Sequence, residues 1–144
     1  MSNDSNNKKK SKLDERREIR EQCFAVLFEM SFSDDSVEDI LDNAVESRMI
    51  VADDFMTAIL DYYTDHSEEV DELIKANIKG WTINRLSKVT LSVLRLAICE
   101  LRAINNPHQV VINEAIEIAK KYATPKEASF VNGVLGAVVS KDKE

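Results

Sequence analysis

The stretch PHQVVINEAIEIAKKYATPKEASFVNGVLGAVV, residues 107–139, holds two helical periods separated by one explicit start signal. Val111, Ala115, Ile118 and Ala119 recur at spacings of three and four, which puts them on one face of a helix from about Val110 to Tyr122. Thr124 then stands three residues before Glu127, with Pro125 at the first helical position. A hydroxyl that accepts from the third amide, a carboxylate that reaches back, and a proline whose missing N–H would have no helical partner anyway together mark a helix start. Phe130, Val131, Val134, Leu135 and Val138 follow at helical spacing. Two amphipathic helices joined by so short a connection pack as antiparallel neighbours.

Upstream the same period persists. Ile19, Cys23, Leu27 and Met30 form a stripe that Phe24 and Phe28 widen, and Arg16, Arg17 and Arg20 are expected to fall largely off it. Ser36 and Asp39 give an approximate capping box before Val37, Ile40, Leu41, Ala44 and Val45. Asp53 or Asp54 caps a third helix through Phe55, Ile59, Leu60 and Tyr63, and Ser67 a fourth through Val70, Leu73, Ile74 and Ile78, which Gly80 ends. A short turn with Trp81 and Ile83 leads to Ser87, the cap of a helix carrying Val93, Leu94, Ala97, Ile98 and Leu101 that stops at Asn105, Asn106 and Pro107. The pattern is all-α: a bundle of about seven helices in two antiparallel subbundles, about residues 13–79 and 80–140. Residues 1–12, all Asn, Ser, Lys and Asp after Met1, are expected to be a disordered basic arm, since they have no apolar surface to bury.

Composition narrows the chemistry. Three Gly and two Pro in 144 residues exclude a turn-dense β fold, and Gly80, Gly133 and Gly136 match neither phosphate-cradling loop, so no nucleotide cofactor is expected. Gly133 and Gly136 would allow close helix contact, though ordinary packing also accounts for them. Cys23 and Cys99 lack a second Cys or His at metal spacing and read as buried free thiols. His66, in an acidic stretch expected to be a loop, and His108, after Pro107, have no nucleophile beside them. Glu100, Glu114 and Glu117 lack the Glu-x-x-His pairs of a di-iron bundle, and are expected to form a solvated face or to include an internal partner for Arg95. No catalytic residue, metal, cofactor or small-molecule substrate is therefore expected. The N-terminus has no apolar run of a secretory signal, and no stretch reaches the roughly 20 apolar residues that span a bilayer, so a cytoplasmic location with no membrane partner follows.

The formal charge of −7 is unevenly spread. Residues 1–20 carry seven Lys or Arg against four acids, residues 21–72 one Arg against sixteen acids, and residues 73–144 eleven bases against six acids. A basic surface can thus be built from the two ends, and Lys8, Lys9, Lys10, Lys12, Arg16, Arg17 and Arg20 form its densest run. Such side chains neutralise phosphates with release of counterions, and exposed aromatic rings, for which Phe28 and Phe130 are candidates, stack on the unpaired bases of single strands. The same two rings fit core packing by pattern alone.

Residues 107–139, with INEAIEIAK and FVNGVL as their most specific parts, resemble the closing signature of the NusB family of transcription antitermination factors. RREIREQCFAVLF (16–28) is similar to that family's opening arginine-rich helix and WTINRLSKVTLSVLRLAICEL (81–101) to its central segment, whereas residues 30–75 match in helical pattern only. The resemblance implies a non-enzymatic, all-helical protein of two small bundles. It would bind the boxA RNA of ribosomal RNA leader transcripts with a NusE-type ribosomal small-subunit protein, and the pair would join the elongating RNA polymerase. It implies RNA contact by Arg16, Arg17, Arg20, Phe28, Lys88 and Phe130. Phe28 stands where the family usually has Tyr, Asn84 and Thr90 where it is commonly acidic, and Glu18 interrupts the basic run, so Lys8 to Lys12 are expected to carry more of the arm's affinity. Two alternatives are a protein-binding adaptor without RNA affinity, which the acidic middle segment favours, and the similar amino-terminal domain of ribosomal RNA cytosine methyltransferases. The absence of a Gly-rich cofactor loop, and of a methyltransferase domain before Glu144, disfavours the second.

Overall fold

The computed structural model describes residues 11–47 and 53–142, so Lys8, Lys9 and Lys10 of the expected arm lie outside the described residues. Within them the chain forms α1 (Lys12–Met30), α2 (Val37–Glu46), α3 (Asp54–Ala76), a 3₁₀ turn (Ile83–Arg85), α4 (Lys88–Ala103), α5 (His108–Tyr122) and α6 (Pro125–Asp142). Four expected caps are made. The Ser36 and Ser87 hydroxyls each accept an N–H three residues on at 3.1 Å, Asp53 accepts from Phe55 and Met56, and Thr124 and Glu127 bond reciprocally. Ser11 caps α1 by accepting from Asp14, which places Lys12 at the start of the helix rather than in the arm.

The short helix expected near Trp81 is the 3₁₀ turn at Ile83–Arg85, and the expected third and fourth helices are the two halves of α3, which meet at a kink at His66 (φ −131°, ψ 26°), one residue before Ser67. His66 thus stands at the kink between two helical segments, a single non-helical residue where a loop was expected. Its Nδ1 donates to the Tyr62 carbonyl at 3.1 Å and its ring stacks on Tyr62 with centroids 4.1 Å apart, so side chains bridge the kink from which the second helical segment departs. Gly80 makes the left-handed break after α3 at φ +79°, a conformation that costs residues with a Cβ about 1 to 2 kcal/mol.

α4 decides the architecture. It packs against α1 and α3, and also against α5 and α6, and every residue from Thr90 to Glu100 is buried. A helix that is apolar nearly all round belongs at the centre of a bundle. The buried residues form one continuous cluster from Cys23 through Leu94 and Ile98 to Leu135, so Gly80 divides the chain but not the core. Cys23 and Cys99 are free and fully buried in it; burial pushes both thiols up, that of Cys99 to about 12, which leaves them unreactive at neutral pH. A Cβ at Gly133 or Gly136 would meet nothing within 4 Å, so neither serves close helix contact. No described helix is long and apolar enough to cross a membrane.

Candidate nucleic-acid interface

The polar residues that α4 takes into the core each need a partner, and the partners fix the neighbouring surface. Glu100, 1% exposed, receives Nε and Nη2 of Arg20 at 2.8 Å each and the Asn106 amide at 2.9 Å. Arg20 also reaches Glu114 at 3.4 Å, and Arg17 donates its Nε to the same Glu114 oxygen at 2.8 Å. Glu100 and Glu114 thus serve the arginines of α1, whereas Arg95, for which they were candidate partners, is held in a fork by Asp71 at 3.0 Å. Among the described residues no group of three or more His, Cys, Asp or Glu could hold a metal ion.

This network corrects the expected exposure of the arginine run. Arg20 lies three residues before Cys23 and seven before Leu27, so the helical period carries it onto the buried stripe, where it is 3% exposed and its guanidinium is committed to carboxylates. Arg16 and Arg17 remain exposed. Arg16 lays its guanidinium 4.0 Å from the centre of the Phe55 ring, and the hydrogen bond that Arg17 donates to Glu114, with the charge of that carboxylate, raises the Arg17 pKa. Beyond Arg17 a groove of about 360 Å³ opens between α1 and α5, lined by Glu21, Glu117, Ile118, Lys120 and Lys121.

The groove continues into aromatic rings. Tyr122, 47% exposed, donates its hydroxyl to Glu21 at 2.8 Å and stacks on Phe24 at 5.2 Å. Phe24 is followed along α1 by Phe28, half-buried at 5.8 Å, and then by Phe32, 66% exposed at 4.9 Å from Phe28. Tyr122 and Phe32 were missed by sequence reasoning. Phe32 lies beyond the end of α1 and Tyr122 closes the α5 stripe, so helical spacing did not mark either ring as exposed.

A second cluster surrounds the amino-terminal ends of α4 and α6. Glu127 ties them together: its Oε1 accepts from the hydroxyls of Ser87 at 2.6 Å and Thr90 at 3.2 Å, and its Oε2 from Thr124. These bonds, Ser87 foremost, hold the Glu127 carboxyl below its ordinary range. Thr90 is buried, while Lys88 and Asn84 are exposed. Phe130 is half-buried, with Trp81 edge-on at 6.2 Å, and the two rings share a cavity of about 370 Å³ with Arg85, Ser87, Lys126 and Glu127. Neither the Trp81 ring nor the cations Arg85 and Lys126 were singled out from sequence as neighbours of Phe130; the segment around the 3₁₀ turn brings Trp81 and Arg85 there, and Lys126 lies one helical turn before Phe130 on α6.

The NusB family profile matches residues 17–140. The transcription antitermination protein NusB of Listeria monocytogenes serotype 4a (strain HCC23) is 37% identical over 129 residues, covering 89% of this chain and 98% of that protein. The solved NusB of T. maritima superposes with a TM-score of 0.77 at 34% identity, covering 87% of this chain and 90% of that one. A crystal structure of the antitermination factors NusB and NusE with double-stranded RNA contains a chain that matches with a TM-score of 0.77 at 28% identity, over 88% of this chain and 96% of that one.

Proposed function

The chain belongs to the NusB family of transcription antitermination proteins, and from that premise we propose that it binds boxA-type single-stranded RNA of ribosomal RNA leader transcripts together with a NusE-type ribosomal protein. The pair then joins the elongating RNA polymerase in the cytoplasm. An antitermination factor of this family is not an enzyme, and its work is recognition. The observation that carries the RNA reading is the alternation of exposed cations with accessible rings: Arg16, Arg17, Lys120 and Lys121, then Tyr122 and Phe28 on α1 and α5, and Lys88, Arg85 and Lys126 around Trp81 and Phe130. Cations that track phosphates combined with rings that stack bases are what a single strand requires. Arg20 contributes from inside, by holding α1 to α4 and α5. The relative solved with NusE and RNA supports the same pairing of partners.

The test is titration of a boxA-type single strand against the full chain, with and without the NusE-type protein, across a salt series. The partner is expected to raise RNA affinity, and linkage then requires RNA to tighten partner binding by the same factor. Independent binding would remove the cooperative assembly. A second reading, a protein-binding adaptor without RNA affinity, is favoured by the exposed acids of α2 and α3, among them Glu38, Asp39, Asp42, Asp61 and Asp65. Partner binding with no salt-dependent RNA affinity would select it.

A further inference from the structure

Glu114 is a buried carboxylate that the charge balance of the core does not require. Arg20 is already met by both oxygens of Glu100 at 2.8 Å, and the second contact of Arg20, to Glu114, is the longer one at 3.4 Å. The short bond of Glu114 goes to Arg17 instead, at 2.8 Å, and only to its Nε. The two terminal nitrogens of Arg17 make no hydrogen bond to a described residue, and its side chain is 51% exposed at the lip of the α1–α5 groove.

A guanidinium gripped through Nε on one side keeps its Nη1–Nη2 edge free, and that edge matches two phosphate oxygens. Glu114 can grip firmly because it is itself 6% exposed, fixed on α5 between the buried Val111, Ala115 and Ile118 and touched by the immobile Arg20. An exposed arginine otherwise loses much rotamer freedom when it binds a ligand, and holding it beforehand removes part of that loss. We propose that Glu114 is a positioning residue of the RNA surface, which presents the terminal edge of Arg17 to a backbone phosphate lying in the α1–α5 groove. The proposal rests on the RNA-binding function above. The opposite arrangement, in which Glu114 withholds Arg17 from RNA, predicts the opposite sign.

The experiment measures binding of a boxA-type single strand to the full chain over a salt series for wild type, Arg17→Ala, Glu114→Ala, Glu114→Gln and the Arg17→Ala/Glu114→Ala double variant. Melting curves ensure that each is folded at the temperature used. Losing one charge-assisted contact is expected to lower affinity about tenfold in Arg17→Ala and the log–log salt slope by about 0.7. Glu114→Ala is expected to lose a similar factor and slope, the double variant no more than either single one, and Glu114→Gln, whose oxygen still accepts from Nε, to regain most of the affinity. A purely structural role would lower the melting temperature without removing the slope of one phosphate. Equal or tighter binding in Glu114→Ala, additive losses in the double variant, or RNA binding indifferent to Arg17→Ala would each overturn the proposal while leaving the RNA function standing. A wild-type chain that binds no RNA even with the NusE-type protein would overturn both.

Discussion

The two ends of α4 are joined to their neighbours by opposite means. Near its carboxyl end, Glu100 is taken out of water and answered by a guanidinium that is equally buried, with Asn106 filling the remaining acceptor capacity. At its amino end, Ser87 and Thr90 share one oxygen of Glu127, at a site open to solvent on the side of Lys88 and Lys126. Full charges in a dry site are rigid and severe to break, because removing one leaves the other unpaired. Hydroxyls and a solvated carboxylate orient helix ends with little at stake, so a ligand can rearrange the surface beside them. The difference separates a part of the molecule that holds shape from a part free to vary in what it binds.

The comparison is broken most directly at Glu100. Glu100→Ala leaves the buried Arg20 only its long contact to Glu114 at 3.4 Å and is expected to lose about 3 kcal/mol or more in chemical denaturation; a loss under about 1 kcal/mol would mean that Glu114 or water takes over the guanidinium. Phe130→Ala tests the other end. Its ring is only half-buried, so the stability loss should fall below the roughly 3 to 5 kcal/mol of a fully buried Phe, while boxA binding weakens by about 1 to 3 kcal/mol, tenfold or more. The reverse pattern, a large loss of stability with RNA binding preserved, would assign Phe130 to the core.

Thr124→Ala removes one half of the capping box and should cost about 1 kcal/mol by thermal melting. The same site has a pH signature. Glu127 is depressed in the folded state, so its contribution is present above its unfolded value of about 4.3 and fades as pH falls through the lower folded value. Glu127→Gln should flatten that part of the acid limb and leave the neutral region nearly unchanged in slope; an identical acid limb would deny the carboxylate its role. The smallest effect is expected at Lys88. Lys88→Ala should leave stability within about 0.5 kcal/mol and reduce the RNA salt slope by about 0.7, and an unchanged slope would take Lys88 off the phosphate path.

Local signals wrote most of the fold into the sequence. The caps at Ser36, Asp53, Ser87 and Thr124, the break at Gly80 and the apolar spacings of α1 and α4 to α6 are each settled within one or two helical turns, which is the range over which capping and periodicity act. The same range reaches the kink at His66, one residue before the helix start read at Ser67, but not the stacked Tyr62–His66 pair that bridges it. Site residues were legible by type but not by role. Arg16, Arg17 and Arg20 read as one cluster, and nothing within their own helix says that Glu100 and Glu114, some eighty to a hundred residues away, claim one of them entirely and another by a single nitrogen. The sequence by itself determined the helices and the supply of cations and rings. Only the tertiary structure decided which cation is spent inside, which is held half-free at a groove, and which rings, Trp81, Tyr122 and Phe32 among them, stay open, because burial and long-range charge pairing depend on where α4 is placed against α1, α3, α5 and α6.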